Sequence, residues 1–256
     1  MKTPLRPTFT ALALLLAPCG AATIVQTFES GEDTSNWGSS WNGGAVTTTF
    51  LSPGLGGESA GSGTSASQSF SRTFRNNTAG LDVTSPYTIS AYVQVNAFDG
   101  PSGGDFEIID GSFGSANAAN LGIRTETVSP GVFIFHWQAK NGGVWNDLGI
   151  TMDLGAIYEF ELGVDTLGFD YSATVRRVTA GGIVLESAGL SNLAFDSNVI
   201  SNGQNGELRF YIQAAAGGTD ALVDNINIQS VPEPSAPVLV LGGSLMLFRR
   251  RRSSAT

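Results

Sequence analysis

Apolar side chains in the middle of this chain recur at every second position, which is the period of a strand with one buried face. Between Pro86 and Phe98 they fall at Tyr87, Ile89, Ala91, Val93, Val95 and Ala97. Between Ile157 and Val164, Tyr158, Phe160, Leu162 and Val164 alternate with Glu159 and Glu161. Phe169, Tyr171, Ala173 and Val175 form a third such face. Leu208, Phe210 and Ile212 form a fourth, and Leu222, Ile226 and Ile228, sharing a side with Asp224, form a fifth. No window of a dozen residues sustains helical spacing with good helix formers. The fold class read from this pattern is all-β, in a single domain over residues 23–230.

Glycine usage agrees. The 33 glycines are nearly double the number expected from an average content of about 7%. Gly142-Gly143 and Gly181-Gly182 stand where two hairpins should turn, because glycine reaches φ > 0 without a Cβ clash. The Gly/Ser/Ala-rich stretch Ser52–Ser71 reads as a long loop.

The ends follow other rules. Residues 1–22 combine Lys2 and Arg6, an apolar run from Phe9 to Ala17, and small residues at Gly20, Ala21 and Ala22, the layout of a secretory signal peptide with a short helix. At the other end, Val231-Pro232-Glu233-Pro234 precedes an apolar run from Ala236 to Phe248 and the cluster Arg249, Arg250, Arg251 and Arg252. That run makes about 20 Å of helix at 1.5 Å per residue. This is a short transmembrane helix against a hydrocarbon core of about 30 Å, with the arginines as a cytoplasmic stop.

Residues 231–256 resemble the PEP-CTERM sorting signal of Gram-negative bacteria with exopolysaccharide systems. The resemblance implies recognition by exosortase and cleavage near the Pro-Glu-Pro motif. The protein would be anchored briefly in the inner membrane, then left on the cell surface or in the extracellular matrix.

Charge and composition narrow the partners. The chain carries 13 basic and 22 acidic groups, for a net −9. Lys2, Arg6 and the four terminal arginines leave with the ends, as does Glu233; residues 23–230 then keep 7 basic and 21 acidic groups, a net −14. Such a surface repels nucleic acid, whose binding rests on phosphate neutralisation, and leaves neutral glycans or cation-bridged partners. One cysteine and one histidine exclude a disulfide framework and a multi-histidine or multi-cysteine metal site.

The middle of the chain resembles the laminin-G/concanavalin-like jelly-roll β-sandwich. The resemblance is carried by Gln26-Thr27-Phe28-Glu29-Ser30-Gly31 at the start, Trp145 to Val178 in the centre, and Val223-Asp224-Asn225-Ile226 at the end. It implies that first and last strands pair. It also implies a calcium ion held by oxygen ligands, for which Glu29, Asp33 and Asp224 are the candidates.

Three groupings bear on chemistry. Asp105, Glu107 and Asp110 have the spacing, with each acid exchanged, of the Glu-x-Asp-x-x-Glu strand of laminarinase-type glucanases. They define the alternative reading, a secreted glycoside hydrolase or lyase. Gly57-Glu58-Ser59-Ala60-Gly61 has the form of a nucleophile elbow, which requires a strand before it and a helix after it. His136 is the only base available to it and lies on the strand face of Val132 and Ile134. None of these makes a convincing catalytic set, so a non-enzymatic domain is expected. Trp37, Trp41, Trp137 and Trp145 could stack on sugars or fill a core. Trp145, near a turn, is the best placed to contact a glycan.

Overall fold

The computed structural model describes residues 23–27, 49–51, 59–62, 85–97, 106–110, 118–195, 210–214 and 220–230. They form thirteen strands: β1 (Thr23–Gln26), β2 (Thr49–Leu51), β3 (Ser59–Ser62), β4 (Tyr87–Ala97), β5 (Phe106–Asp110), β6 (Ala119–Ser129), β7 (Val132–Asn141), β8 (Val144–Thr151), β9 (Ile157–Asp165), β10 (Asp170–Val178), β11 (Val184–Ala194), β12 (Phe210–Ala214) and β13 (Asp220–Ser230). Among the described residues there is no helix, and none is long and apolar enough to cross a membrane. The terminal segments 1–22 and 231–256, read above as a signal helix and a transmembrane helix, lie outside the described residues.

The strands make two antiparallel sheets. The larger runs β11-β10-β9-β4-β13-β3-β2, with β1 also paired to β13; the smaller runs β12-β5-β6-β7-β8. First and last strands do pair, with Thr23 opposite Gln229 and Gln26 opposite Ile226.

The period-two faces become the core between the sheets. Tyr87, Ile89, Ala91, Val93 and Val95 are buried, as are Tyr158, Phe160, Leu162 and Val164, and the smaller sheet answers with Phe106, Ile108, Leu121, Ile123 and Trp137. Trp137 sits edge-on to Phe106 at 6.2 Å and tilted against Tyr158 at 5.5 Å, so one indole joins both layers. Tyr171 links them by a hydrogen bond as well. From β10 its hydroxyl donates to the carbonyl of Asn120 at 3.1 Å and to that of Lys140.

Burial holds the Tyr171 phenol well above its usual value, against a smaller opposing effect of the carbonyl contacts. Its folded-state pKa is therefore raised above the unfolded one. The stability it contributes is intact below about pH 10, the unfolded value, and is lost as pH rises from there toward the higher folded value. Denaturant unfolding between pH 9 and 12 is expected to show this loss, at up to about 1.4 kcal/mol per pH unit. Tyr171→Phe should flatten the slope.

Three local expectations give way. Phe169 is not in the core. It is 41% exposed in the β9–β10 turn with φ 56°, and Tyr171 is the first inward residue of β10. Ser52–Ser71 is not all loop: β3 lies within it, paired to β2 and β13. Ser59-Ala60-Gly61-Ser62 lacks bulky side chains, yet ladder hydrogen bonds need only backbone. In β13, a bulge between Asp224 and Asn227, with Asn225 at φ 51°, shifts the alternation. Val223, Ile226 and Ile228 join the core, whereas Leu222 and Asp224 share the other face, opposite Gln94 and Tyr92. The glycine turns hold: Gly142 (φ 54°) and Gly143 (φ 98°) form the two-residue β7–β8 hairpin.

Candidate functional site

Strand alternation in the smaller sheet separates two sets of polar groups. Phe106, Ile108 and Asp110 of β5 face the core, and Glu107 faces away. On β6, Leu121 and Ile123 point inward, so Asn120, Gly122 and Arg124 share the outer face with Glu107. Register brings them together, with Glu107 opposite Gly122 and Gly122 opposite Gln138. Arg124 pairs with Glu107, the two side chains being only 15% and 18% exposed. Its guanidinium carbon lies 3.6 Å from the centre of the Trp145 ring.

Gly122 is what lets this stack lie against the sheet. A Cβ there would come within 3.0 Å of Arg124 Nη1 and 3.2 Å of Trp145 Cη2. Trp145, which sequence placed as the best exposed tryptophan, is therefore half-buried under Arg124. Asn120 closes the group. Its Nδ2 reaches Glu107 Oε2 at 3.4 Å, while its Oδ1 is buried with no donor. The result is a nearly charge-neutral platform of indole, guanidinium, carboxylate and amide. Charge-assisted pairing and cation–π contact, worth about 0.5–2 kcal/mol, hold it in one geometry.

Of the sequence-predicted acids, Glu107 and Asp110 do not assemble into a pair. Asp110 is fully buried and accepts a hydrogen bond from the Tyr87 hydroxyl across the sandwich. Glu107 is on the opposite face of the same strand, and Asp105 lies outside the described residues. An acid and a nucleophile must flank one bond from one cleft, and Glu107 and Asp110 do not share one. Ser59 opens strand β3 of the larger sheet, not a strand-to-helix turn. His136, on the smaller sheet, has Nε2 3.1 Å from Glu126 Oε2 and Nδ1 3.4 Å from Asp147 Oδ2, bridging β6, β7 and β8.

Of the calcium candidates, Asp224 is 1% exposed on β13, with Oδ1 accepting the Asn225 N–H at 2.7 Å. Glu29 and Asp33, like Trp37 and Trp41, lie outside the described residues. Among the described residues no three His, Cys, Asp or Glu side chains group as metal ligands.

Sequence reasoning did not single out Arg124 or Asn120. Their signal is the run Asn120-Leu121-Gly122-Ile123-Arg124, which alternates polar or small residues with apolar ones.

No protein-family model matches the chain, and no curated protein matches it in sequence. Solved structures do resemble it. A carbohydrate esterase from the Shiga toxin-encoding bacteriophage phi24B superposes with a TM-score of 0.52 at 14% identity, over 81% of this chain and 100% of the other. A protein of unknown function from Shewanella oneidensis MR-1 gives 0.50 at 14% identity, over 88% and 96%. At such identities the likeness shows a shared fold alone.

Proposed function

We propose that this chain is an exported, non-enzymatic surface or matrix protein, sorted by exosortase through its tail, whose concanavalin-like jelly roll binds neutral glycan on the outer face of the smaller sheet. The observation that carries the binding reading is the Arg124–Trp145 stack on the outer face of the smaller sheet, with Glu107 paired to the guanidinium. The indole and guanidinium offer a flat surface to a sugar ring. Cancellation of Arg124 by Glu107 favours an uncharged ligand. The export reading is supported by residues 1–22 and by Val231-Pro232-Glu233-Pro234 with Arg249–Arg252.

The test uses the protein released by an exosortase-proficient Gram-negative host. Intact mass should show loss of residues 1–22 and of the tail beyond the Pro-Glu-Pro motif. Probing a carbohydrate array with the same material should give binding to neutral polysaccharides, unchanged by chelation if calcium is not needed. Trp145→Ala should weaken it about tenfold, or about 1.4 kcal/mol. A full-length chain retained in the inner membrane would refute the sorting, and an array blank at every neutral glycan would refute the binding.

A further inference from the structure

The larger sheet carries a second polar depression, far in topology from the Trp145 platform. It is a cleft of about 320 Å³ at the end of β4, β9, β10 and β11, at the small end of the roughly 300–1,000 Å³ typical of ligand sites. Its floor is a notch in the sheet. Thr88, Gly163 and Ser172 form one row across β4, β9 and β10, and the middle position has no side chain. A Cβ on Gly163 would stand 2.8 Å from Ser172 Oγ, so any other residue there would fill the notch or push the hydroxyl aside.

At the mouth, Asp165 and Asp170 face each other in register. Asp165 Oδ1 is held by the N–H groups of Leu167 at 2.9 Å and Gly168 at 3.0 Å. Asp165 Oδ2 and Asp170 Oδ2 both lie within 3.2 Å of the point that a Cβ on Gly168 would occupy. Asn192 completes the wall from a left-handed backbone with φ 56°, a conformation that asparagine tolerates but glycine adopts more readily.

We infer that this cleft is a separate binding site for a single neutral sugar unit, taken by hydroxyl donation to Asp165 and Asp170. Among the described residues no arginine or lysine lines the cleft, and its carboxylates, hydroxyls and amide are rich in acceptors. It suits a ligand whose rim is hydroxyl donors and repels carboxylate- or sulfate-bearing sugars. The ligand class rests on the glycan-binding reading, but the site does not use Trp145.

Isothermal titration of the exported chain with the methyl glycosides of glucose, galactose and mannose, and with methyl glucuronide, tests this. At least one neutral glycoside should bind at about millimolar strength, and the glucuronide at least about tenfold more weakly. Asp170→Asn should weaken the neutral ligand about tenfold and Asn192→Gly several-fold, with Trp145→Ala leaving it unchanged. Asn192→Gly relieves the left-handed strain, so its loss of binding would not be loss of fold. Three results would each overturn the site: no binding of any neutral glycoside, equal binding of the glucuronide, or neutral binding untouched by both cleft variants. Monosaccharide binding lost with Trp145→Ala alone would overturn the cleft while leaving the Trp145 platform intact.

Discussion

Trp137→Ala is expected to lower the unfolding free energy by about 3–5 kcal/mol, as aromatic truncation in a packed core does. The indole is fully buried, meets Phe106 edge-on at 6.2 Å, and reaches Tyr158 of the facing sheet at 5.5 Å. Its loss leaves a cavity between layers that Phe106 and Tyr158 cannot close from fixed backbone positions. Tyr158 is further held by its own hydrogen bonds to the Asp153 N–H at 2.8 Å and the Thr151 carbonyl at 3.0 Å. Trp137→Phe should recover part of the loss. Its residual cost should be modest, because Trp137 Nε1 has no acceptor to lose. Equilibrium denaturation of both variants measures this directly. A Trp137→Ala cost under about 1 kcal/mol would mean that the layers are not joined there.

That prediction also marks where sequence reading ended. In Val132–Gln138 both faces are apolar: Val132 and Ile134 on one, Phe133, Phe135 and Trp137 on the other. Alternation announces a strand but cannot tell which side is core when both are greasy. The facing sheet decides it, leaving Val132 and Ile134 52% and 37% exposed. Strands β4 and β9 were legible because their outward positions are polar, as Thr88, Ser90, Glu159 and Glu161 show. β11 was not, because it is an edge strand mostly in solvent and no burial pattern is imposed on it.

The platform was half legible for a related reason. Trp145 and Glu107 stood out as residue types, but nothing local ties residue 107 to 124 and 145. Only the β5-β6-β7-β8 order does so. The bulge at Asp224–Asn227 was invisible because it depends on Asn225 adopting positive φ, which asparagine tolerates but does not require.

Tyr87→Phe is the second large effect, expected at about 1.5–3 kcal/mol, the range for a hydrogen bond to a charged group. Asp110 has no exposed surface, and the Tyr87 hydroxyl donates to its Oδ2 from the opposite sheet. Removing that donor takes one hydrogen bond from a buried carboxylate, so the cost is desolvation unreturned rather than lost packing. Asp110→Asn keeps the shape and an acceptor oxygen. In a double-mutant cycle, Tyr87→Phe should therefore cost less on the Asp110→Asn background, with a coupling of about 1 kcal/mol or more. Additive effects would show that the contact carries no stability. The cycle also separates two meanings of the Asp105, Glu107 and Asp110 spacing. Were Asp110 part of a hydrolytic pair, Asp110→Asn would abolish activity on a glucan and leave the fold unaltered. A carboxylate fixed by Tyr87 inside the sandwich predicts the reverse: Asp110→Asn shifts unfolding, and glucan turnover does not depend on it.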